Sequence, residues 1–141
     1  MSKHVTAHEL GIDINEQHGL FKWLLASFLM GKRIQADIAV EAYRVLVDKH
    51  NRDTPRKLSN CTHRELVAML GEAHYVRYDE STATRLSALA KKLQAEYDGT
   101  IGGMRAASTD RRDFERKLEA FEGVGPKTVE IFMREAGGVL F

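Results

Sequence analysis

Residues 118–138 read LEAFEGVGPKTVEIFMREAGG, and this stretch limits what the chain can fold into more than any other. A helical apolar pattern ending at Phe121 meets Glu122, Gly123, Val124 and Gly125, and a second helical pattern opens at Pro126, Lys127 and Thr128. Glycine reaches the positive φ that a tight interhelical turn requires, so both Gly123 and Gly125 are expected to adopt it. Proline suits the first helical position, where no backbone donor is needed. The chain is thereby committed to two helices folded back through a short, open loop. Amides at the start of the second helix have no intrahelical acceptor, and the positive end of the helix dipole lies behind them, so the loop is a seat for an anionic oxygen. The group expected to hold it comprises Gly123, Val124 and Gly125, with the ammonium of Lys127 and the hydroxyl of Thr128 beside them. An ordinary turn between two helices can use the same residues, and the spacing does not separate the two readings.

The rest of the chain reads as helices of the same kind. From Glu16 onward, Leu20, Phe21, Leu24, Leu25, Phe28 and Leu29 recur at helical spacing as far as Met30 and stop at Gly31, which predicts a deeply buried first helix with Trp23 at its margin. Leu24, Leu25 and Phe28 are expected to be purely structural. Residues 34–49 carry Ile34, Ile38, Ala42, Val45 and Leu46 on one side, and Thr54-Pro55 opens a short turn. Thr62 and Glu65 have the spacing of a capping box, followed by a helix through Leu66, Val67, Met69 and Leu70 that ends near Gly71. Asp79 or Ser81 can cap a long helix bearing Leu86, Leu89, Ala90, Leu93 and Tyr97, which stops at Asp98-Gly99. Residues 100–108 are glycine-containing and patternless, so a loop is expected. Thr109 or Asp110 then caps the helix of Phe114, Leu118 and Phe121. No sustained alternation of apolar and polar residues predicts a strand. The expectation is an all-α bundle of six main helices, one domain over residues 16–141 behind a loose segment at residues 1–15.

Composition bears mainly on partners and compartment. With 43% hydrophobic and 29% charged residues among 141, the chain has the makeup of a folded domain. A formal net charge of +1 means that affinity for a polyanion must come from local clustering. Basic residues do cluster: Lys32 and Arg33; Arg52, Arg56 and Lys57; Arg105, Arg111, Arg112, Arg116 and Lys117. Solvated helix faces account for most of them. The lone Cys61 leaves no internal disulfide and no multi-thiolate metal or cluster site, and His4 and His8 lack a third ligand, so neither a metal nor another cofactor is expected. A cytoplasmic location is the expectation, without a membrane span or signal peptide.

With the hairpin last among six helices, the chain resembles the helix-hairpin-helix DNA glycosylase superfamily, and within it the endonuclease III family. The likeness rests on Leu24-Leu25-Ala26-Ser27 in the first buried helix, Thr54-Pro55, the segment from His74 to Leu86, and Phe121 to Thr128. It covers residues 20–138. It implies a six-helix barrel-like orthogonal bundle with the helix-hairpin-helix at 110–138, duplex DNA as partner through its phosphates, a base-excision-repair setting, and Lys127 in the place of the lysine that serves bifunctional members as Schiff-base nucleophile. There are departures. The family's essential aspartate lies beyond the hairpin, and no residue up to Phe141 is expected in its role. The cysteine-rich iron–sulfur segment is absent. Phe28-Leu29-Met30 stands where endonuclease III carries a glutamine that fills the gap left by an extruded base.

Two functional classes follow. An enzyme would use the neutral amine of Lys127 to attack C1′ of an abasic sugar and form an imine, while base excision would lack the carboxylate that stabilises charge at the sugar. A binding module would keep the hairpin and use Lys127 only to neutralise a phosphate. A third arrangement gives the missing acid to a protein partner or second copy, docked on a C-terminal edge of Phe132, Val139, Leu140 and Phe141. A helical protein-interaction scaffold is the reading in which the hairpin meets no DNA.

Overall fold

Helix α1 (Gln17–Met30) is buried on every side in the computed structural model, which describes residues 4–141. Its buried residues run from Gly19 to Leu29 with Lys22 alone left out. That is the pattern of a helix surrounded by others rather than one lying on a surface. Trp23 therefore has no margin to occupy. It is 0% exposed, and its indole N–H donates to the Phe132 carbonyl at 3.2 Å. The Ser27 hydroxyl, equally buried, donates to the Trp23 carbonyl at 2.7 Å, so no polar group of this segment is stranded by the burial.

Around α1 lie α2 (Ala36–Arg44), which continues through a wider π turn at Val45–Lys49, and α3 (Pro55–Ser59), α4 (His63–Glu72), α5 (Asp79–Tyr97), α6 (Ile101–Ala106), α7 (Arg111–Glu119) and α8 (Pro126–Leu140). The described residues contain eight α-helices and no strand; the chain is all-α. Helices α1, α2, α4, α5, α7 and α8 are the six long ones. Helix α1 packs against α2, α6 and α8, while α5 packs against α3, α4 and α6. One apolar core joins them all. No helix among the described residues is long and apolar enough to cross a membrane.

Local chemistry explains where these helices begin. Thr62 Oγ1 accepts from Glu65 N at 3.1 Å and Glu65 Oε1 accepts from Thr62 N at 2.8 Å, completing the capping box of α4. Thr54 caps α3 ahead of Pro55, and Asp110, rather than Thr109, caps α7 by accepting from Asp113 N at 2.8 Å. Helix α5 starts at Asp79 without a side-chain cap, its first turn carrying Asp79 and Glu80 at the positive end of the dipole.

Two segments differ from the sequence reading. Residues 100–108, expected as a loop, contain α6, whose Thr100 hydroxyl accepts from Gly103 N at 2.9 Å and whose Ile101 and Met104 are buried. Gly102 and Gly103 suppress the helical signal because glycine has low helix propensity. Gly103 is required by close approach, since a Cβ there would lie 2.2 Å from the Tyr97 carbonyl oxygen, whereas one on Gly102 would meet only the end of the Gln17 side chain, at 2.3 Å. The N-terminal segment, expected to be loose, is packed over its described part. A 3-10 turn at His8–Leu10 sends Ala7, Leu10 and Ile12 into the core, and Ala7 N donates to Glu135 Oε2 of α8 at 2.9 Å. Residues 1–3 of that expectation lie outside the described residues.

Helix α7, which leads into the hairpin, is expected to weaken in acid. The Asp113 carboxylate accepts from Lys117 Nζ at 2.7 Å, from Thr109 N at 3.0 Å and from Arg116 at 3.3 Å. The Lys117 bond, then the Thr109 amide, push its pKa down to about 2. A carboxylate lowered in the folded state stabilises the fold above its unfolded pKa of about 3.9 and loses that contribution as pH falls through the folded value. Thermal melts between pH 5 and pH 2 should show a stability decline that is shallower in Asp113→Asn than in the wild type. Equal slopes would mean that the carboxylate is as solvated folded as unfolded.

Candidate nucleic-acid interface

The hairpin begins where α7 ends. Phe121 N donates to the Leu118 carbonyl and Val124 N to the Phe121 carbonyl, at 3.1 and 3.0 Å, so the chain turns within residues 121–124. Lys92 closes the negative end of α7: its ammonium donates to the Ala120 carbonyl at 3.1 Å and stands 5.0 Å above the Phe121 ring. Gly123 has φ +87°, as the turn demands. A Cβ there would lie 2.6 Å from Arg85 Cδ and 3.2 Å from two Phe28 ring atoms, so the position needs glycine for space as well as for backbone conformation.

Gly125 departs from expectation. Its φ of −106° and ψ of −174° are extended backbone open to any residue, and a Cβ would meet nothing within 4 Å. The reason is its place in the motif: it is the N-cap of α8, where the chain arrives extended before entering the helix. Lacking a side chain, it leaves the first amides of α8 without a side-chain acceptor, and no acidic residue stands in the first turn. The first intrahelical bond runs from Val129 N to the Gly125 carbonyl at 3.1 Å, so the Lys127 and Thr128 amides precede the ladder.

Lys127 is exposed, on the rim of a shallow groove of about 150 Å³ that includes Met30, Ile34, Ile131 and Arg134, with Glu130 as the carboxylate of its wall. Thr128 lies elsewhere than expected. It is 1% exposed, and a Cβ on Gly31 would come within 2.1 Å of its Oγ1. Its side chain seals the start of α8 against the end of α1, so the hydroxyl is a packing group rather than an aid to an exposed anion. Val124 is buried too and contributes backbone only.

The structure adds residues that the sequence reading did not assign to the site. Lys32, just past α1, donates to the Gly123 carbonyl at 2.6 Å and stands 4.6 Å from the centroid of the Phe28 ring. Phe28 thereby has a second role beside the core one. Burial, and then the charge of Arg85, lower the pKa of Lys32 below the ordinary lysine value. Arg85, half-buried on α5, has its Nε 3.8 Å from Glu122 Oε1. Gly31, Lys32, Arg33, Tyr78, Ser81, Thr82 and Arg85 line a cleft of about 260 Å³. Lys32 and Arg33 are visible in the sequence as a basic pair; Arg85, from the middle of the long helix, joins them only through the packing of α5.

The C-terminal edge is smaller than expected. Phe132 is 0% exposed and belongs to the core, whereas Val139 and Phe141 are each 41% exposed. Phe141 packs edge-on to Phe114 with centroids 5.6 Å apart, and the Arg105 guanidinium lies 4.1 Å from its centroid. Phe28 and Leu29 are both 0% exposed and belong to the core. No protein-family model matches this chain, and neither curated proteins nor solved structures give a match.

Proposed function

We propose that this protein binds duplex DNA without strong sequence preference, as a repair-related module whose hairpin grips a backbone phosphate. The observation that carries the reading is the uncapped start of α8, with no acid in its first turn and the exposed Lys127 beside its amides. Backbone amides at a helix N-terminus hold a phosphate without reading the base. The cleft of Lys32, Arg33 and Arg85, tied to the hairpin by the Lys32 bond to the Gly123 carbonyl, adds positive charge near the turn. Lys127 is a phosphate contact in this reading. Glycosidic cleavage needs a carboxylate placed against the sugar, and the groove at Lys127 is an open one whose acid, Glu130, is exposed on α8.

Fluorescence anisotropy with a labelled duplex, repeated over a range of salt, tests this. Dissociation constants on the order of micromolar are expected, with a shallow salt slope because few cations take part. Lys127→Ala should weaken binding by about 1 kcal/mol uniformly over DNA sequences and reduce the slope by about one unit. Borohydride treatment in the presence of abasic duplex should leave no covalent adduct. An adduct that forms with the wild type and disappears in Lys127→Ala would replace this reading by that of an abasic-site lyase.

A further inference from the structure

The cleft beside the hairpin carries more positive charge than a continuous DNA backbone asks of it. Lys32, Arg33 and Arg85 line it, and no carboxylate does. Glu122 is the nearest acid to Arg85, 3.8 Å from its Nε and largely exposed. Among the described residues neither Arg33 nor Arg85 donates a side-chain hydrogen bond. Lys32 and Arg85 are held close enough to repel each other, with Lys32 partly desolvated. Packing of α1 against α8, through Gly31 and Thr128, and the bond from Lys32 to Gly123 fix Lys32, while Arg85 is carried on α5. Like charges gathered with only one loose counter-ion, Glu122, are less favourable than when an anion sits among them.

The size and charge of the cleft narrow the class of that anion. Three cations set against one loose carboxylate suit a species near −2 better than the single charge of a phosphodiester. A phosphate monoester carries about −1.5 to −2 at neutral pH. A volume of about 260 Å³ has room for a phosphate and its sugar. Tyr78, whose ring has the Arg77 guanidinium 5.3 Å from its centroid, also lines the cleft.

We infer that the Lys32–Arg33–Arg85 cleft receives a terminal phosphate monoester at a DNA strand break or end, while the hairpin holds a phosphate of the adjoining duplex. This rests on the DNA-binding reading and extends it from intact duplex to interrupted strands. The site binds the terminal phosphate and transfers nothing.

The test uses the full chain and duplexes with a one-nucleotide gap bearing a 5′-phosphate, a 3′-phosphate or hydroxyls only, alongside intact duplex. Affinity for one of the phosphate-bearing gaps should exceed that for the hydroxyl gap by about tenfold or more, the effect of a charge-assisted hydrogen bond. In Arg85→Gln and Arg33→Gln the ratio of phosphate to hydroxyl affinity should fall toward one, and Arg85→Lys should keep part of it; circular dichroism melts establish that each variant is folded. Equal affinity for phosphate and hydroxyl gaps overturns the inference, as does a preference that survives both glutamine variants. Competition by free deoxynucleoside monophosphate as effective as the gapped DNA itself would assign the cleft to a small molecule and overturn the strand-end part. Intact-duplex binding with no end preference sinks the cleft alone; end preference without intact-duplex binding sinks the hairpin reading; no binding to any probe sinks both.

Discussion

Trp23→Ala is expected to destabilise the protein by about 3–5 kcal/mol, the range for emptying a large aromatic from a close-packed core. Trp23 is 0% exposed on a helix that is itself enclosed, so the surrounding helices cannot collapse into the space without moving α1. It also carries the indole bond to the Phe132 carbonyl, a direct polar tie between α1 and the hairpin's second helix. Trp23→Phe keeps most of the ring and loses that bond, and should cost about 1–2 kcal/mol. Urea denaturation measures both. A loss below about 1 kcal/mol for the alanine variant would mean that α1 is not the centre of the bundle.

The second large effect separates two glycines that look equivalent in the sequence. Gly123→Ala places a side chain at φ +87° and drives its Cβ to 2.6 Å from Arg85. Left-handed backbone costs roughly 1–2 kcal/mol and overpacking roughly 1–3, so a loss of about 2–5 kcal/mol is expected. The same change displaces the Gly123 carbonyl from Lys32 and misaligns the first amides of α8, so DNA affinity should fall at least about tenfold, as when a hydrogen bond to a charged group is lost. Gly125→Ala meets neither obstacle. Its backbone is extended and its surroundings are open, so stability should stay within about 1 kcal/mol of the wild type and binding near the wild-type level. Urea melts and anisotropy titrations of the two variants decide it. Equal damage at both positions would contradict the hairpin geometry, and full binding by a folded Gly123→Ala would remove the hairpin from the account of DNA binding.

Both predictions turn on features of different visibility. The apolar spacing of Leu20 to Leu29, the Thr62–Glu65 box, the Asp98-Gly99 stop and the Phe121-to-Pro126 turn are local signals, and each helix boundary they imply is found within a residue or two in the structure. Periodicity and caps work at that range because the hydrogen bonds that they satisfy lie within one turn of the chain. The same residues made the all-α class legible, and Gly123 with it.

What the chain's neighbours decide was not legible. Helix α6 forms, capped by Thr100 and with Ile101 and Met104 buried, through two glycines that a propensity reading counts against it, and at Gly103 the Tyr97 carbonyl leaves no room for a side chain. Trp23 and Phe132 are core residues because α1 and α8 cross at that point, and residues 7–12 are packed because Glu135 holds the Ala7 amide and the core receives Leu10 and Ile12. At the candidate site, Thr128 was drawn inward by Gly31, a glycine ninety-seven positions earlier in the chain, and Lys32, Gly123 and Arg85 came together from α1, the hairpin and α5. The sequence by itself determined the six long helices, the Thr54 and Thr62 caps and the hairpin's place, since those depend on spacing along one strand of chain. Only the tertiary structure decided which hydroxyl is buried, which glycine is obligatory and which cations share a cleft, because burial, close approach and charge proximity are relations between helices far apart in sequence.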